Sequence, residues 1–193
     1  MTNESGIVTR MWFSRMLKSL NIAHPRLILS AEGKRVRLGE TRQDLPDTPE
    51  RFDCWISVLG REGFTSGRRY WQVQVGGNAW WRLGVSRESA ERKGRFSMTP
   101  QQGYWTVGWS GGGFNALTDP KTHLPRSLKP QKLGVYLDYE ERQLSLYNVE
   151  TRSQIYTFID MEFNPNEKLY PFFYIYNNTD LVLESPDPVS FAD

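Results

Sequence analysis

Alternating apolar and polar positions predict short β-strands along most of this chain. Between positions 69 and 75, every second residue is large and apolar, which is the pattern of a strand with one buried face. Comparable runs, bounded by Gly, Pro, Asn or Asp, recur as far as position 183. About a dozen short strands with no long helix between them favour an all-β fold, a two-sheet antiparallel β-sandwich. The predicted strands are 27–29, 35–38, 54–59, 69–75, 80–85, 104–109, 132–139, 143–149, 154–158, 169–176 and 181–183.

The same alternation predicts which side chains form the core of the sandwich. Within a strand, residues two apart project from the same face. Apolar residues that alternate with polar neighbours are therefore expected to share the buried face. The predicted core residues are Trp71, Val73, Val75, Leu83, Val85, Trp105, Val107, Val135, Leu137, Leu146 and Phe172.

The first residues of the chain follow a different period. Apolar side chains at 12, 13, 16, 17 and 20 repeat with the spacing of one helical face. This pattern predicts a short amphipathic helix that begins at Thr9, as N-cap, and ends at Leu20. We expect Trp12, Met16 and Leu20 to pack against the sandwich. The alternative is that the helix is the tail of an upstream coiled coil.

Length and composition agree with one soluble domain. The chain has 193 residues, within the ~100–200 residues expected of a single domain. Seven Trp, nine Tyr and ten Phe suit half-buried strand faces. No apolar run approaches the ~20 residues of a membrane-spanning helix, and no secretory signal opens the chain. We therefore expect a cytoplasmic protein with an arm at 1–22, one domain at 23–186 and a tail at 187–193.

The inventory of reactive side chains argues against an enzyme. A single cysteine, Cys54, excludes a multi-thiolate metal site. The two histidines, His24 and His123, stand apart from any nucleophile motif. The carboxylates at 138, 140 and 141 fall on a hairpin turn, and the glycine-rich stretch 109–113 lacks the Lys-Ser/Thr of a phosphate loop. We predict no catalytic residue, no metal and no cofactor.

The charge is too balanced for a nucleic-acid-binding protein. Lys and Arg total 24 and Asp and Glu total 22, which gives a net charge of +2. The basic clusters at 33–37 and 91–95 are short and are interrupted by acids or turns, so they are better explained as solvated turns than as a phosphate-binding stripe. We expect a protein partner, with no nucleic acid and no direct membrane insertion.

Motifs in order along the chain resemble those of PRY-SPRY domains. The run D-L-P-D-T-P-E-R-F at 44–52 is similar to a run typical of PRY segments. The run F-T-S-G-R-R-Y-W-Q-V-Q-V at 64–75 is similar to a strand motif of the family, with Gln at two positions that are usually Glu. Further matches are W-R-L-G-V at 81–85, R-K-G at 92–94, G-Y-W-T-V at 103–107, L-G-V-Y-L-D-Y-E at 133–140, L-Y-N at 146–148 and L-Y-P-F-F at 169–173.

The resemblance implies a bent, concanavalin-like jelly roll, with a PRY part at about 23–67 and a SPRY part at about 68–186. Domains of this family end tripartite-motif ubiquitin ligases and butyrophilins, and they bind partners through variable loops at one end. The resemblance therefore implies either the substrate receptor of a tripartite-motif ligase or the cytoplasmic domain of a butyrophilin-like protein. Ligase activity would reside in another domain. A role in innate immunity is implied as well.

Arg82 is the predicted centre of the partner-binding surface. Leu83 and Trp81 flank it and belong to the core pattern, so Arg82 must point to the opposite face. By motif, the family's partner-binding loops correspond to stretches that are rich in Trp, Tyr, Asn and Arg, the residue types that dominate interfaces. The residues expected around Arg82 are Trp55, Trp109, Phe114, Asn115, Lys121, Tyr174, Tyr176 and Asn177.

A small-ligand or carbohydrate site is the alternative to protein recognition. Trp109, Phe114 and Asn115 are the residues that would form a shallow sugar site. Some butyrophilins sense phosphorylated small molecules, and that pocket corresponds by motif to Trp55, Arg82, Ser97, Asn115, Lys121 and Tyr174. Only Arg82 and Lys121 among these are cationic, and two cations match a pyrophosphate poorly. We therefore disfavour a phosphorylated ligand at this position.

Overall fold

The computed structural model of the protein describes residues 9–10, 22–76, 80–176 and 180–184. In these ranges the chain forms strands joined by turns, with two short 3₁₀ helices at Pro100–Gln102 and Arg126–Leu128. The strands are β1 (Thr9–Arg10), β2 (Leu27–Leu29), β3 (Arg35–Leu38), β4 (Ser57–Leu59), β5 (Arg68–Val75), β6 (Trp80–Arg87), β7 (Tyr104–Ser110), β8 (Gly113–Ala116), β9 (Thr122–His123), β10 (Lys132–Asp138), β11 (Gln143–Asn148), β12 (Ser153–Phe158), β13 (Leu169–Tyr176) and β14 (Leu181–Glu184).

The strands form two sheets. An eight-stranded sheet has the order β12-β11-β10-β5-β14-β3-β2, with β1 pairing to β5, and a six-stranded sheet has the order β4-β13-β6-β7-β8-β9. Pairing is antiparallel throughout the two orders, and β1 alone among the described strands runs parallel to its neighbour. The predicted two-sheet, antiparallel, all-β architecture is confirmed.

The first third of the domain completes both sheets. The hairpin of β2 and β3 joins the eight-stranded sheet through β14, where Val36 pairs with Leu181. Strand β4 joins the six-stranded sheet through β13, where Val58 pairs with Phe173. The segment is therefore an integral part of the sandwich, because without it β13 and β14 would each lose a neighbouring strand.

The main core lies between the sheets. The predicted core residues from Trp71 through Leu146 are all buried there, which confirms the alternation argument. Phe172 is also fully buried, but it lies on the opposite side of the six-stranded sheet, because its neighbour Phe173 occupies the inner face. The position of Phe172 in the core is thus corrected, although its burial was predicted.

A second apolar cluster covers one end of the outer face of the six-stranded sheet. Segments outside the strands contribute Ile22, Phe52, Ala90 and Met98, which pack on the strand residues Leu59, Tyr104, Tyr170 and Phe172. Arg51 holds these segments together, because its buried guanidinium donates hydrogen bonds to the carbonyls of Pro46 at 2.7 Å and Ala23 at 2.8 Å.

The structure differs from the predicted elements at three places. Thr9 and Arg10 form strand β1 instead of opening a helix, and the rest of the predicted helix, with Trp12, Met16 and Leu20, lies outside the described residues. The strand predicted from position 54 begins at Ser57. The short strands β8 and β9 were not predicted, because two to four residues flanked by Gly and Pro carry no readable period.

Candidate partner-binding face

One row of residues crosses the six-stranded sheet on its outer face. Directly paired positions run from β4 to β9 in the order Ser57, Tyr174, Arg82, Gly108, Asn115 and His123. Residues paired in this way project from the same face of a sheet. This face is the outer one, because the alternate positions Trp81 and Phe173 are buried in the main core. The predicted orientation of Arg82, opposite to Trp81 and Leu83, is therefore correct.

The second cluster ends beside this row and leaves part of the sheet open to solvent. We call this open part the Arg82 face, and define it by Trp55, Trp80, Arg82, Asn115, Tyr174 and Tyr176. It consists of aromatic rings arranged around one guanidinium group.

Two aromatic rings hold the Arg82 side chain. The guanidinium carbon lies 4.9 Å from the ring centroid of Trp55 and 5.3 Å from that of Tyr174. The two rings meet edge to face at 5.8 Å, and the Trp55 indole N–H donates to the carbonyl of Phe96 at 3.1 Å. Both rings are thus fixed in place before any partner arrives, and cation–π contacts of this kind stabilise a partly desolvated charge.

A glycine makes room for the Arg82 stem. Gly108 is the residue paired with Arg82 on β7. A Cβ at Gly108 would lie 3.0 Å from Cγ of Arg82 and 3.0 Å from the carbonyl oxygen of Trp81. The absence of a side chain therefore lets the arginine lie along the sheet toward the two rings.

The positive charge of Arg82 has no counter-ion in the described part of the chain. The salt bridges found there involve Arg35, Arg68, Lys93 and Lys132. Burial lowers the pKa of Arg82 from its ordinary value, and Tyr174 alone acts in the opposite direction. An arginine stays protonated at neutral pH despite such a shift, so the face presents a half-buried, uncompensated cation.

Polar atoms on the same row lack hydrogen-bond partners among the described residues. They are Oγ of Ser57 and Oδ1 of Asn115, both buried, and Oγ1 of Thr106 is a third on the same sheet. Buried polar groups without a partner are uncommon in folded proteins. Asn115 is 5% exposed, so it contributes to the floor of the face rather than to its rim.

The rim carries the exposed aromatic pair Trp80 and Tyr176. Their side chains are 42% and 41% exposed, and their ring centroids are 5.7 Å apart. Tyr176 was among the predicted site residues, whereas Trp80 was missed. The signal for Trp80 was present in the sequence, since it stands two residues before Arg82 and therefore shares its face.

Trp109 and Phe114 lie on the other side of the sheet from Arg82. Trp109 pairs with Trp81 and with Phe114, and all three point inward. Phe114 is 2% exposed and packs edge to face on Trp81. Trp109 packs at the margin of the main core, with Lys129 Nζ 4.0 Å and the Arg126 guanidinium 5.6 Å from its ring centroid. The expected position of these two aromatics around Arg82 is corrected.

The remaining predicted residues are at the edge of the face or beyond the described chain. Lys121 is exposed just before β9, the edge strand of the sheet, and Asn177 lies outside the described residues. Sequence reasoning missed Ser57, Gly108 and His123, because their place beside Arg82 depends on which strands pair.

Within the described ranges, no three His, Cys, Asp or Glu side chains come together as a metal site. The same ranges contain no helix of the length and hydropathy that a bilayer crossing requires.

Comparison with known proteins assigns the chain to a family. The sequence model of the SPRY domain matches residues 68–186, and that of the SPRY-associated domain matches residues 20–64. The chain belongs to the PRY-SPRY family, whose members of the butyrophilin and tripartite-motif type are generally protein-interaction modules. The resemblance of the motifs is thereby confirmed.

Curated relatives come from both branches of the family. Human butyrophilin subfamily 1 member A1 is 47% identical over 156 residues, covering 81% of this chain and 29% of the relative. Nuclear factor 7, ovary, of Xenopus laevis is 45% identical over 159 residues, covering 81% of this chain and 25% of the relative. Human erythroid membrane-associated protein is 43% identical over 165 residues, covering 85% of this chain and 34% of the relative. The chain thus spans between a quarter and about a third of these proteins.

Solved structures show the same fold at low identity. The TRIM65 PSpry domain aligns over 88% of both chains with a TM-score of 0.74 and 24% identity. The stonustoxin structure aligns over 88% of this chain and 28% of its own, also with a TM-score of 0.74 and 24% identity.

Proposed function

We propose that this domain recognises a partner protein through the Arg82 face. The observation that carries the proposal is the state of Arg82: a half-buried guanidinium, clamped between Trp55 and Tyr174, with no ion pair among the described residues. Desolvating a charge is unfavourable unless it gains a partner. A bound protein that supplies an acceptor would satisfy this requirement.

The chemistry of the face favours an acidic side chain of the partner. A carboxylate accepts two parallel hydrogen bonds from a guanidinium, and the aromatic rings exclude water from that contact. Trp80 and Tyr176 would contribute the apolar area next to it, since exposed Trp and Tyr bury much surface at low entropic cost. The partner segment is therefore proposed to combine an Asp or Glu with a neighbouring apolar residue.

The domain is further proposed to be the recognition part of a larger protein. The relatives include butyrophilins and nuclear factor 7, and their similar identities favour neither type of parent. In a tripartite-motif ligase the domain would select the substrate, and in a butyrophilin-like protein it would be the cytoplasmic part. A cytoplasmic location and an innate-immune role are proposed on family membership alone, and imaging of the tagged full-length protein tests the former.

Carbohydrate binding has less support than protein recognition. The sugar platform would need Trp109 and Phe114 on one exposed surface together with Asn115. Phe114 is buried, and Lys129 lies over the ring of Trp109. A glycan array probed with the purified domain gives an independent check, and selective retention of one glycan class would favour this second function.

Substitution of Arg82 tests the proposal. Partners are first identified by affinity capture and verified with purified proteins, and binding is then measured by calorimetry. We expect Arg82→Ala to weaken binding by about 2 kcal/mol or more, or roughly 30-fold, because the residue would be a central anchor. Arg82→Lys is expected to lose most of this affinity as well, because an ammonium group cannot form the planar, two-pronged contact.

Arg37→Ala is the matched control, since Arg37 is an exposed arginine on β3 of the other sheet. Both variants should unfold at the wild-type temperature. If a verified partner bound Arg82→Ala and Arg82→Lys with wild-type affinity, the Arg82 face would not be the binding surface.

A further inference from the structure

A second polar feature lies at the opposite end of β13 from the Arg82 face. An open cavity of about 450 Å³ is formed by the loop between β4 and β5 together with the start of β13. Tyr170 borders it, whereas Tyr174 belongs to the Arg82 face; at ~3.3 Å per residue these two positions are about 13 Å apart along the strand. The residues lining the cavity are Arg61, Glu62, Gly63, Phe64, Thr65, Ser66, Arg69, Lys168 and Tyr170.

Arg69 is the best-ordered cation of this cavity. Its guanidinium carbon lies 5.1 Å from the ring centroid of Phe64, and Phe64 in turn packs on Trp71 in the main core, with 6.1 Å between ring centroids. The Nε atom of Arg69 is buried and has no hydrogen-bond partner among the described residues. A buried guanidinium N–H group without an acceptor is an unsatisfied donor, which a bound anion would satisfy.

The cavity carries excess positive charge. Arg61, Arg69 and Lys168 contribute three cations, and Glu62 is the one carboxylate in the lining, so the net charge is 3 − 1 = +2. None of the three cations takes part in the salt bridges of the described residues. The neighbouring carboxylate Glu140 is engaged elsewhere, since both of its oxygens accept from the Gly67 amide at 2.9–3.0 Å.

The other polar groups of the lining suit an oxyanion as well. Thr65 and Ser66 are exposed and place two hydroxyl groups beside the cations. Hydroxyl and guanidinium donors are the groups that hold phosphate in proteins, and charge-assisted contacts of this type are the strongest hydrogen bonds available. A dianion would neutralise the net charge of the cavity, which a monovalent carboxylate would not.

From this arrangement we infer that the cavity around Arg69 binds a phosphate monoester. Arg69 contacts the phosphate through its fixed guanidinium, Lys168 and Arg61 neutralise it from the rim, and Thr65 and Ser66 donate from the loop. The ligand is a phosphorylated side chain or a small phosphate ester, and the remaining cavity volume accommodates the group that carries the phosphate. This site is separate from the Arg82 face and does not depend on it.

Calorimetry with the full 193-residue chain tests the inference. O-phospho-L-serine is titrated at fixed ionic strength, with L-serine, inorganic phosphate and a phosphoserine peptide titrated in parallel. We expect saturable binding of phosphoserine and none of serine. Arg69→Gln is expected to lower the affinity about tenfold and Lys168→Gln somewhat less, because each loses one charge-assisted contact. Arg37→Gln, which removes an equal charge from an exposed position on β3, is expected to bind like the wild type.

The comparison of probes identifies the source of the phosphate. Tighter binding of the peptide than of phosphoserine assigns the site to phosphorylated proteins, whereas equal affinity assigns it to small phosphate esters. Thermal unfolding checks the fold of each variant, and Lys168→Gln, at an exposed position, keeps the test valid if Arg69→Gln is unstable. The inference is wrong if phosphoserine does not bind the wild type, or if Arg37→Gln weakens binding as much as the cavity variants do.

Discussion

His24 couples the stability of the fold to pH. The side chain is 4% exposed, and its Nδ1 atom accepts a hydrogen bond from the backbone N–H of Arg26 at 3.1 Å. Burial, with a smaller contribution from the charge of Arg42, lowers the pKa of His24 from 6.5 to about 4. The neutral imidazole is therefore the form that the native structure accommodates.

This shift predicts a loss of stability in mild acid. Above pH 6.5 His24 is neutral in both states, and below that pH the unfolded chain gains a proton that the folded chain accepts only near pH 4. Lowering the pH from 7 to 5 should cost about 2 kcal/mol through this residue. Urea unfolding of the wild type and of His24→Gln at both pH values measures the difference, since the glutamine does not titrate.

His123→Gln is the control for this measurement, because His123 is exposed on the edge strand β9. Its pH dependence should match that of the wild type. Equal pH dependence in the wild type and His24→Gln would show that His24 is not responsible.

Gly84 is required by the close approach of two strands. It pairs with Phe172 on β13 and with Thr106 on β7, and an added Cβ would lie 1.9 Å from the carbonyl oxygen of Trp105. Gly84→Ala is expected to destabilise the domain by about 3 kcal/mol or more, because backbone must move to relieve this overlap. Chemical denaturation measures the loss.

Gly112→Ala provides the comparison in the exposed turn between β7 and β8. There, the nearest atom to an added Cβ is Oγ of Ser110 at 3.7 Å. We expect less than about 1 kcal/mol of change at Gly112. Similar stabilities of the two variants would contradict the role assigned to Gly84.

At the scale of elements, β13 determines where the binding face lies. Phe173 and Ile175 point inward to the main core, while Phe172 and Tyr174 point outward, to the second cluster and to the Arg82 face. The limits of this strand, 169–176, were predicted correctly because its apolar run is long and bounded by polar loops. The outward role of Phe172 was not predictable, because both faces of the strand are apolar.

The N-terminal segment remains a prediction at this scale. Deletion of residues 1–19 removes β1, which pairs with Arg69 and Tyr70 of β5, together with Trp12 and Met16. If these side chains pack on the sandwich, the loss should amount to several kcal/mol at ~1.5–3 kcal/mol for each large apolar side chain. The melting temperature and the urea midpoint measure it.

Deletion of residues 1–8 alone serves as the control, since it leaves β1 and the predicted helix in the chain. It should melt like the complete chain. An unchanged stability after deletion of 1–19 would show that this segment is a free arm or the end of an upstream element.

At the scale of the whole molecule, the two sheets are held together by one continuous core. Val135 is fully buried at its middle and pairs with Trp71 on one side and Leu146 on the other. Val135→Asp is expected to unfold the domain, because the cost of burying an unpaired charge exceeds the ~5–15 kcal/mol of stability that a domain has. Circular dichroism and denaturant titration test this.

Gln154→Asp is the matched control, since Gln154 is exposed on β12 of the same sheet. It should fold with nearly wild-type stability. A soluble Val135→Asp variant with a cooperative transition would contradict the assignment of Val135 to the core.

The sequence by itself determined the local and repetitive features of this protein. Residues two apart in a strand share a face whatever the strand pairs with, so the core around Trp71 and Leu83 and the outward direction of Arg82 followed from alternation alone. The motifs likewise identified the family before any contact was known. These inferences succeeded because each depends on a short, continuous stretch of chain.

Only the tertiary structure decided which residues meet on one surface. Arg82 touches Trp55 and Tyr174 because β4 and β13 are placed beside β6, and it is separated from Trp109 and Phe114 because β7 and β8 pair in a register that turns both inward. The cavity around Arg69 also unites distant segments, since Lys168 is nearly one hundred positions further along the chain. Pairing order and register are set by the packing of the whole sandwich, and a linear pattern contains neither.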